Sequence, residues 1–540
     1  MPTALQVEAV CASPPARNGL LAATAGHVRN FARAELKAWI FCLVSGLLLA
    51  FAAPGFDQWY LAWFGLVPLL GAVFASSSLP RAFFRGLVFG TAYNMLYLHW
   101  VLFVHPATWV GLAHFAPYLM SGIAWLVGSL QQGLIIASFS AALRALPITW
   151  GILPVRSAGR WRIPALIAVP LLWILVLNKI GNAHDLLGVP WAMIEYSQYR
   201  QITLLQAASI VGGIGIGALI VLVNMHVLSV ASSLSRMPSL KSIAYPSLVA
   251  AMLNSAVVLG LMVAALSYGH SRLLEADKHG GNEICSVLQG NISFTVHHAT
   301  REAMIARYFA LARTAPQSLC VWPEWAYPCV WSKDGVCREL LRKAAALCKQ
   351  TWIVGTVDCD EKRQLMNGVV AVTDKGEVQP EVYHKRYLVP FGEYTPWLIK
   401  YSPFGWLFST GAPGNSDYRP GDRPVVFSIS GRKISPLVCF ETISPELVAE
   451  NVRMGAQLLV NCSNTVWFQS PIMGEQMIAF CVMRAAESHR NFVFATTIGP
   501  SAFIDAYGRV SRKSRRENAS VLVDCVSFES DITPFCRWFF

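Results

Sequence analysis

Apolar residues run in long blocks through the first half of the chain and alternate with polar ones through the second. Between Trp39 and Tyr268 the blocks lie near residues 38–53, 59–76, 83–104, 115–142, 163–178, 202–230 and 246–268. About 20 apolar residues cross a bilayer, so the pattern predicts a polytopic α-helical membrane bundle of about seven helices at 37–268, behind an N-terminal tail at 1–36. The first two blocks are short or interrupted by Pro54, Gly55 and Asp57. They are therefore open to a second reading, a re-entrant hairpin, which would flip the topology. From Glu283 onward short apolar runs are separated by amphipathic stretches, which predicts an α/β domain at 269–540. The expected strands are 285–288, 319–321, 352–357, 368–372, 425–428, 435–439, 457–460 and 492–496. The expected helices are 299–315, 335–350, 444–454 and 471–489. Asp374, Lys375 and Gly376 read as a hairpin turn, and Asp505 and Gly508 bracket another.

Composition supports the division. The 540 residues are 54% hydrophobic and 14% charged, with mean hydropathy +0.44, whereas soluble domains average roughly 45–50% apolar and 25% charged. The net charge of +12 would suit nucleic acid if it were clustered on the second half. From Arg272 onward, however, 29 Lys and Arg face 26 Asp and Glu, leaving 14 against 5 in the membrane half. The basic excess flanks membrane segments, and no nucleic-acid partner is expected. Arg29, Arg33 and Lys37 precede the first block; Arg81, Arg85, Arg144, Arg156, Arg160, Arg162, Arg236 and Lys241 lie on the even-numbered connections, and only Lys179 and Arg200 on the odd ones. By the positive-inside rule the N-terminal tail is cytoplasmic and the C-terminal domain lies outside. A retained anchor fits the first block better than a signal peptide. Ionisable groups are scarce at the block centres, which argues against transport. The segment 181–201, with Trp191, Tyr196 and Tyr199, reads as an interfacial anchor or as one wall of a substrate passage. Thirteen cysteines show no CxxC pair and no metal-ligand spacing. Cys320, Cys329, Cys337, Cys348 and Cys359 are core or surface residues, with disulfide pairing among them left open.

Three residues carry candidate chemistry. Glu324 sits among Trp322, Pro323, Trp325, Tyr327 and Pro328, where partial desolvation raises a carboxylate's pKa and suits it as a general base. Cys439 ends an apolar run and precedes Ser444, Pro445 and Glu446, a helix start. A thiol at such an elbow lies near backbone N–H groups and a helix N-terminus, which favour thiolate; the plain alternative is a buried small hydrophobe. Lys385, embedded among apolar neighbours, could stabilise an oxyanion together with the N–H of Phe440.

The order Glu, Lys, Cys at separated strand ends resembles the nitrilase superfamily. The wording around it is similar to the bacterial apolipoprotein N-acyltransferase family: Gln289-Gly290-Asn291-Ile292, Trp322-Pro323-Glu324, Lys385 with Leu388 to Glu393, Cys439-Phe440-Glu441, Asn461-Cys462-Ser463-Asn464 with Trp467 and Phe468, and Met483-Arg484-Ala485 with Glu487 and Arg490. The resemblance implies a nitrilase-like αββα sandwich, with Cys439 as nucleophile, Glu324 as general base and Lys385 as oxyanion stabiliser. It further implies Glu393 and Glu441 as supporting glutamates, although Glu441 also reads as a helix N-terminal carboxylate. The implied reaction passes an acyl chain from a phospholipid, through a Cys439 thioester, to the amine of a diacylglyceryl-cysteine on an apolipoprotein, at the periplasmic side of the inner membrane. No metal or organic cofactor is implied. Phe440 stands where the family often has Tyr, His297 and His298 where it usually has a Trp, and the chain stops at Phe540 where members usually continue into a final transmembrane helix. A membrane-tethered amidase using the same trio with water is the main rival, and a catalytically silent scaffold a further one.

The segment 394–414, with Trp397, Phe404, Trp406 and Phe408, is apolar for a surface loop. It reads as a mobile lid over an acyl-chain cleft or as ordinary core packing. Under the first reading, polar replacement of Trp406 and Phe408 lowers lipid turnover while the thermal melt stays unchanged; unchanged turnover would discard the lid.

Overall fold

The computed structural model describes residues 17–104, 117–149, 155–157, 160–180, 189–235, 245–276, 281–292, 301–401 and 417–538. The first half contains helices α1 (Arg17–Ala50), α2 (Val67–Phe74), α3 (Leu79–Tyr97), α4 (Pro117–Ala145), α5 (Ala165–Trp173), α6 (Ala208–Ser235) and α7 (Tyr245–Ala276). Among the described residues three stretches, Ser121–Ala145, Ala208–Ser232 and Ala251–Ala276, are long and apolar enough to cross a membrane. The block expected as the second span instead folds as a 3-10 turn, Trp59–Trp63, followed by the eight-residue α2, shorter than one crossing. Asn224 of α6 satisfies the broken backbone there, accepting from Leu66 N at 2.9 Å and donating to Ala62 O at 2.8 Å. Irregular backbone at membrane depth persists where protein groups replace water. α5 contains Pro170 and continues as a π-helical turn, Ile174–Ile180, and α7 runs on to Ala276, past the boundary expected at 268.

Small residues let α3 close on its neighbours. A Cβ on Gly86 would meet Ser140 Oγ at 2.3 Å, and one on Gly90 would meet Gly133 Cα at 2.9 Å. In lipid, where burial of apolar surface adds no drive between helices, such backbone approach supplies the packing.

The second half is two six-stranded sheets with the same wiring. Its strands are β1 (Glu283–Gln289), β2 (Leu319–Val330), β3 (Thr351–Cys359), β4 (Leu365–Val372), β5 (Tyr383–His384), β6 (Phe427–Ile429), β7 (Arg432–Val438), β8 (Leu458–Ser463), β9 (Asn491–Thr496), β10 (Ala502–Ile504), β11 (Val510–Lys513) and β12 (Ser520–Val526). The orders are β12-β1-β2-β3-β4-β5 and β11-β10-β9-β8-β7-β6. Each sheet has a central parallel trio, β1-β2-β3 or β7-β8-β9, flanked by antiparallel strands. Helices α8 (Arg301–Thr314) and α9 (Gly335–Cys348) cross over in the first trio, α10 (Pro445–Arg453) and α11 (Pro471–Ser488) in the second. Side chains alternate across each strand, so Val287, Val321 and Ile353 meet Val438, Val460 and Val493 between the sheets. On the outer face of the first sheet Leu288, Trp322 and Trp352 meet α8 and α9, completing an αββα sandwich. The expected helices at 299–315, 335–350, 444–454 and 471–489 are all present. The strand expected to end at 321 continues to Val330, and β5, β10, β11 and β12 were not delimited by the pattern.

α11 joins the halves. Every residue from Gln476 to Ser488 is buried, one face against the second sheet and the other against the membrane half, where Phe480 lies 5.0 Å from Trp191 and 4.5 Å from Tyr196. Gly212 breaks α6 with φ 68 and ψ 173, leaving Gly213 N at the start of a new helical segment. Glu487 of α11 accepts from that N–H at 2.7 Å and pairs with Arg484 at 2.7 Å, both side chains only 3% exposed. A carboxylate at a helix N-terminus satisfies an orphan donor and the helix dipole together. A final short helix, α12 (Pro534–Trp538), presses Phe535 against Gly212, where any side chain would collide. Glu487→Ala leaves Arg484 buried without its partner and is expected to cost about 3–5 kcal/mol, read as a lowered thermal midpoint in detergent; an unchanged midpoint would contradict the docking role.

Candidate active site

β7 ends at Val438, and the chain turns sharply at Cys439, whose φ of 51 lies in the left-handed region. A non-glycine residue there stores strain that the surroundings must hold. Asn461 of the neighbouring β8 does so by donating to Cys439 O at 2.9 Å. A 3-10 turn, Cys439–Ile443, follows, after which Ser444 caps α10 by accepting from Leu447 N at 3.3 Å. Cys439 as a residue is partly buried at this elbow.

Glu324 lies within β2 rather than beyond its end. The register of β2 against β3 is irregular between Trp322 and Tyr327, and Trp325 takes φ 61, so the strand bulges at the glutamate. Gly355 of β3 makes room, since a Cβ there would meet Pro323 O at 2.2 Å. The carboxylate accepts from Asn367 Nδ2 at 2.5 Å and Asn464 N at 2.7 Å. Lys385 follows β5, with its N–H donated to Asn367 O at 2.8 Å. Its side chain is 1% exposed, with Nζ 2.8 Å from Glu393 and 3.9 Å from Glu324. Glu393 also accepts from Asn367 Nδ2 at 3.0 Å and Val389 N at 2.8 Å. The structure thus brings Glu324, Lys385, Glu393 and Cys439 into one electrostatic cluster.

Glu441 serves a different place. It accepts from Arg386 N at 2.6 Å, Tyr387 N at 3.1 Å, Tyr383 Oη at 2.8 Å and Val438 N at 2.7 Å. It therefore clamps the segment carrying Lys385 to the strand carrying Cys439, and is more than a helix-start carboxylate. Phe440 is stacked between Tyr387 at 5.5 Å and Trp191 of the membrane half at 5.8 Å. Trp397 is exposed, and Phe404, Trp406 and Phe408 lie outside the described residues, as do His297 and His298.

Burial raises the pKa of Glu324, with Glu393 adding to the shift and Lys385 opposing it. Burial and the Glu324 charge push the Cys439 thiol up to about 12, against the pull of Lys385. Burial alone would lower Lys385, but Glu393 and Glu324 outweigh it and hold the ammonium cationic. A protonated thiol, an adjacent carboxylate of raised basicity and a fixed cation form a set able to transfer the thiol proton during nucleophilic attack and to face the resulting oxyanion. Sequence reasoning gave no role to Asn367, which holds both carboxylates, or to Asn461 and Asn464. The available signal for Asn367 was an amide inside the apolar strand Leu365–Val372.

Residues 45–226 match the apolipoprotein N-acyltransferase N-terminal domain, and residues 286–530 match the carbon-nitrogen hydrolase family. The apolipoprotein N-acyltransferase of Geobacter metallireducens is 31% identical over 87% of this chain and 86% of that protein. That of Gloeobacter violaceus is 27% identical over 91% and 89%, and that of Pseudomonas putida 28% over 92% and 92%.

Because Glu324 must lose its proton before it can act as a base, alkylation of Cys439 by iodoacetamide should rise as pH climbs through the raised pKa of Glu324. Glu324→Gln should lower the neutral-pH rate by about 100-fold or more and abolish that limb; retention of the limb would remove Glu324 from the role.

Proposed function

This chain belongs to the apolipoprotein N-acyltransferase family, and from that membership we propose that Cys439 carries a fatty acyl chain from a membrane phospholipid to the α-amine of a diacylglyceryl-cysteine at an apolipoprotein N-terminus. The observation that carries the assignment of residues is the buried cluster of Glu324, Lys385 and Glu393 behind the strained Cys439 elbow. As the Cys439 sulfur attacks the phospholipid ester carbonyl, Glu324 takes the thiol proton, and Lys385 with the N–H of Phe440 stabilises the oxyanion. Collapse expels the lysophospholipid alkoxide, which takes the proton back from Glu324. The lipoprotein amine then attacks the thioester, Glu324 accepts its proton, and the Cys439 thiolate leaves and is reprotonated.

We place the catalytic half on the periplasmic side of the bacterial inner membrane. Support comes from α3, whose 19 residues reach about 28 Å. At its start Arg81 and Arg85 pair with Glu35, Arg85 at 3.0 Å. At its end Tyr97 O accepts from Gln476 of the catalytic half at 3.1 Å. The basic residues and the catalytic half thus lie at opposite ends of the bundle, as the positive-inside rule requires. Trp397 and Tyr401, 62% and 81% exposed, suit a surface that dips into the headgroup layer, in keeping with a lid over the acyl cleft.

Mass spectrometry of the full-length protein incubated with phospholipid vesicles tests the reading. A fatty-acyl adduct on Cys439, discharged by a diacylglyceryl-cysteine peptide, is expected, with Lys385→Met lowering its formation about 100-fold. Discharge at the same rate in water alone would identify an amidase-type hydrolase, and absence of any adduct a silent scaffold.

A further inference from the structure

Away from the catalytic cluster, on the outer side of the first sheet, Cys329 near the end of β2 and Cys337 in the first turn of α9 face one another. Their sulfurs and a carboxylate oxygen of Asp334 all lie within 4.8 Å. Arg301, at the start of α8, inserts Nη2 among them, 3.1 Å from Cys329 Sγ and 2.5 Å from Cys337 Sγ, and pairs with Asp334. Asp334 in turn caps α9, accepting from Cys337 N at 3.0 Å.

We propose that Cys329 and Cys337 are a redox pair that closes to an intramolecular disulfide, fastening the first turn of α9 to the strand that carries Glu324. Two observations carry this. The sulfurs lie within 4.8 Å of each other, on two segments that are already neighbours. A guanidinium donating to both sulfurs is out of place if the thiols are mere apolar filling, but it is the partner that stabilises a thiolate. The same guanidinium weighs against a divalent metal on these ligands, since its positive charge already occupies the space between them.

The roles of the two sulfurs differ. Cys329 is 1% exposed and burial, with the neighbouring Cys337, pushes its thiol up to about 12, against Arg301. Cys337, 7% exposed in a terminal helical turn, is the attacking group. Its thiolate displaces one sulfur of a disulfide-bearing oxidant, giving a mixed disulfide and a free thiolate. The Cys329 sulfur, its proton lost to water, then attacks the Cys337 sulfur and expels the oxidant's second thiolate. The pair loses two electrons and two protons, and the oxidant ends as two thiols.

The full-length protein, reduced and then treated with oxidised glutathione, is alkylated and digested with trypsin; Lys333 and Arg338 place the cysteines on separate peptides. A peptide pair joined through Cys329 and Cys337, and released by dithiothreitol, is the expected product. Arg301→Gln should slow its formation about tenfold. Recovery of both cysteines singly alkylated, or joined to other cysteines such as Cys348, would overturn the proposal. So would stoichiometric retention of added zinc with both thiols protected, which would make them metal ligands.

Discussion

The burial of α11 on all sides is the constraint on which the rest depends. A crossover helix of an αββα sandwich ordinarily shows a polar face to water, but here both faces are covered, one by the second sheet and one by membrane helices. The ionic groups it carries must therefore find partners in protein. Glu487 finds one in Arg484 and another in the backbone that Gly212 frees, so the break in α6 and the buried carboxylate require each other. Gln476 makes the corresponding polar link at the other end, accepting from Trp191 Nε1 at 2.5 Å and donating to Tyr97 O. Removing water from this joint makes every unpaired group expensive, which fixes the register of the two halves.

The cluster of Glu324, Lys385 and Glu393 shows the same economy of partners. Two carboxylates near one ammonium would repel each other if left to themselves. Asn367 donates to both, Lys385 lies between them, and backbone N–H groups of Val389 and Asn464 each serve one. Glu393 is the closer partner of Lys385, which leaves Glu324 with the weaker pairing and therefore available as a proton acceptor. Glu441, with four donors of its own, keeps the lysine segment and the cysteine strand in fixed relation without contacting the ammonium.

Much of this was legible in the sequence because local pattern and tertiary environment agree. The four crossover helices and most core strands were read within a few residues of their ends, since α8, α9 and α10 are amphipathic stretches with one buried side, and α11 and the core strands are apolar runs bounded by polar residues. Reading failed where a neighbour decides. The 59–76 block has enough apolar residues for a span, yet Asn224, far away in sequence, stabilises its broken form. β2 runs through a segment rich in Pro and Trp because Gly355 opposite it leaves room for a bulge. β5 is only two residues long, and β10 and β11 are short pieces, β11 at the sheet edge, whose existence depends on the strand beside them. Glu324, Lys385 and Cys439 were singled out because their motifs are dense, and the structure gathers them in one electrostatic cluster. Asn367 was not, since one amide in an apolar strand has no local signature of what it holds.

Phe440 has a consequence for how such a protein can change over time. It follows Cys439 directly, and its ring lies between Tyr387 of the sandwich and Trp191 of the bundle. The two halves therefore do not behave as interchangeable modules. A sandwich taken from another protein would arrive with the wrong shape beside Cys439, and a bundle with a different residue at 191 would disturb the residue that follows it. Divergence in either half is thus constrained to proceed in step with the other, through a contact one ring wide.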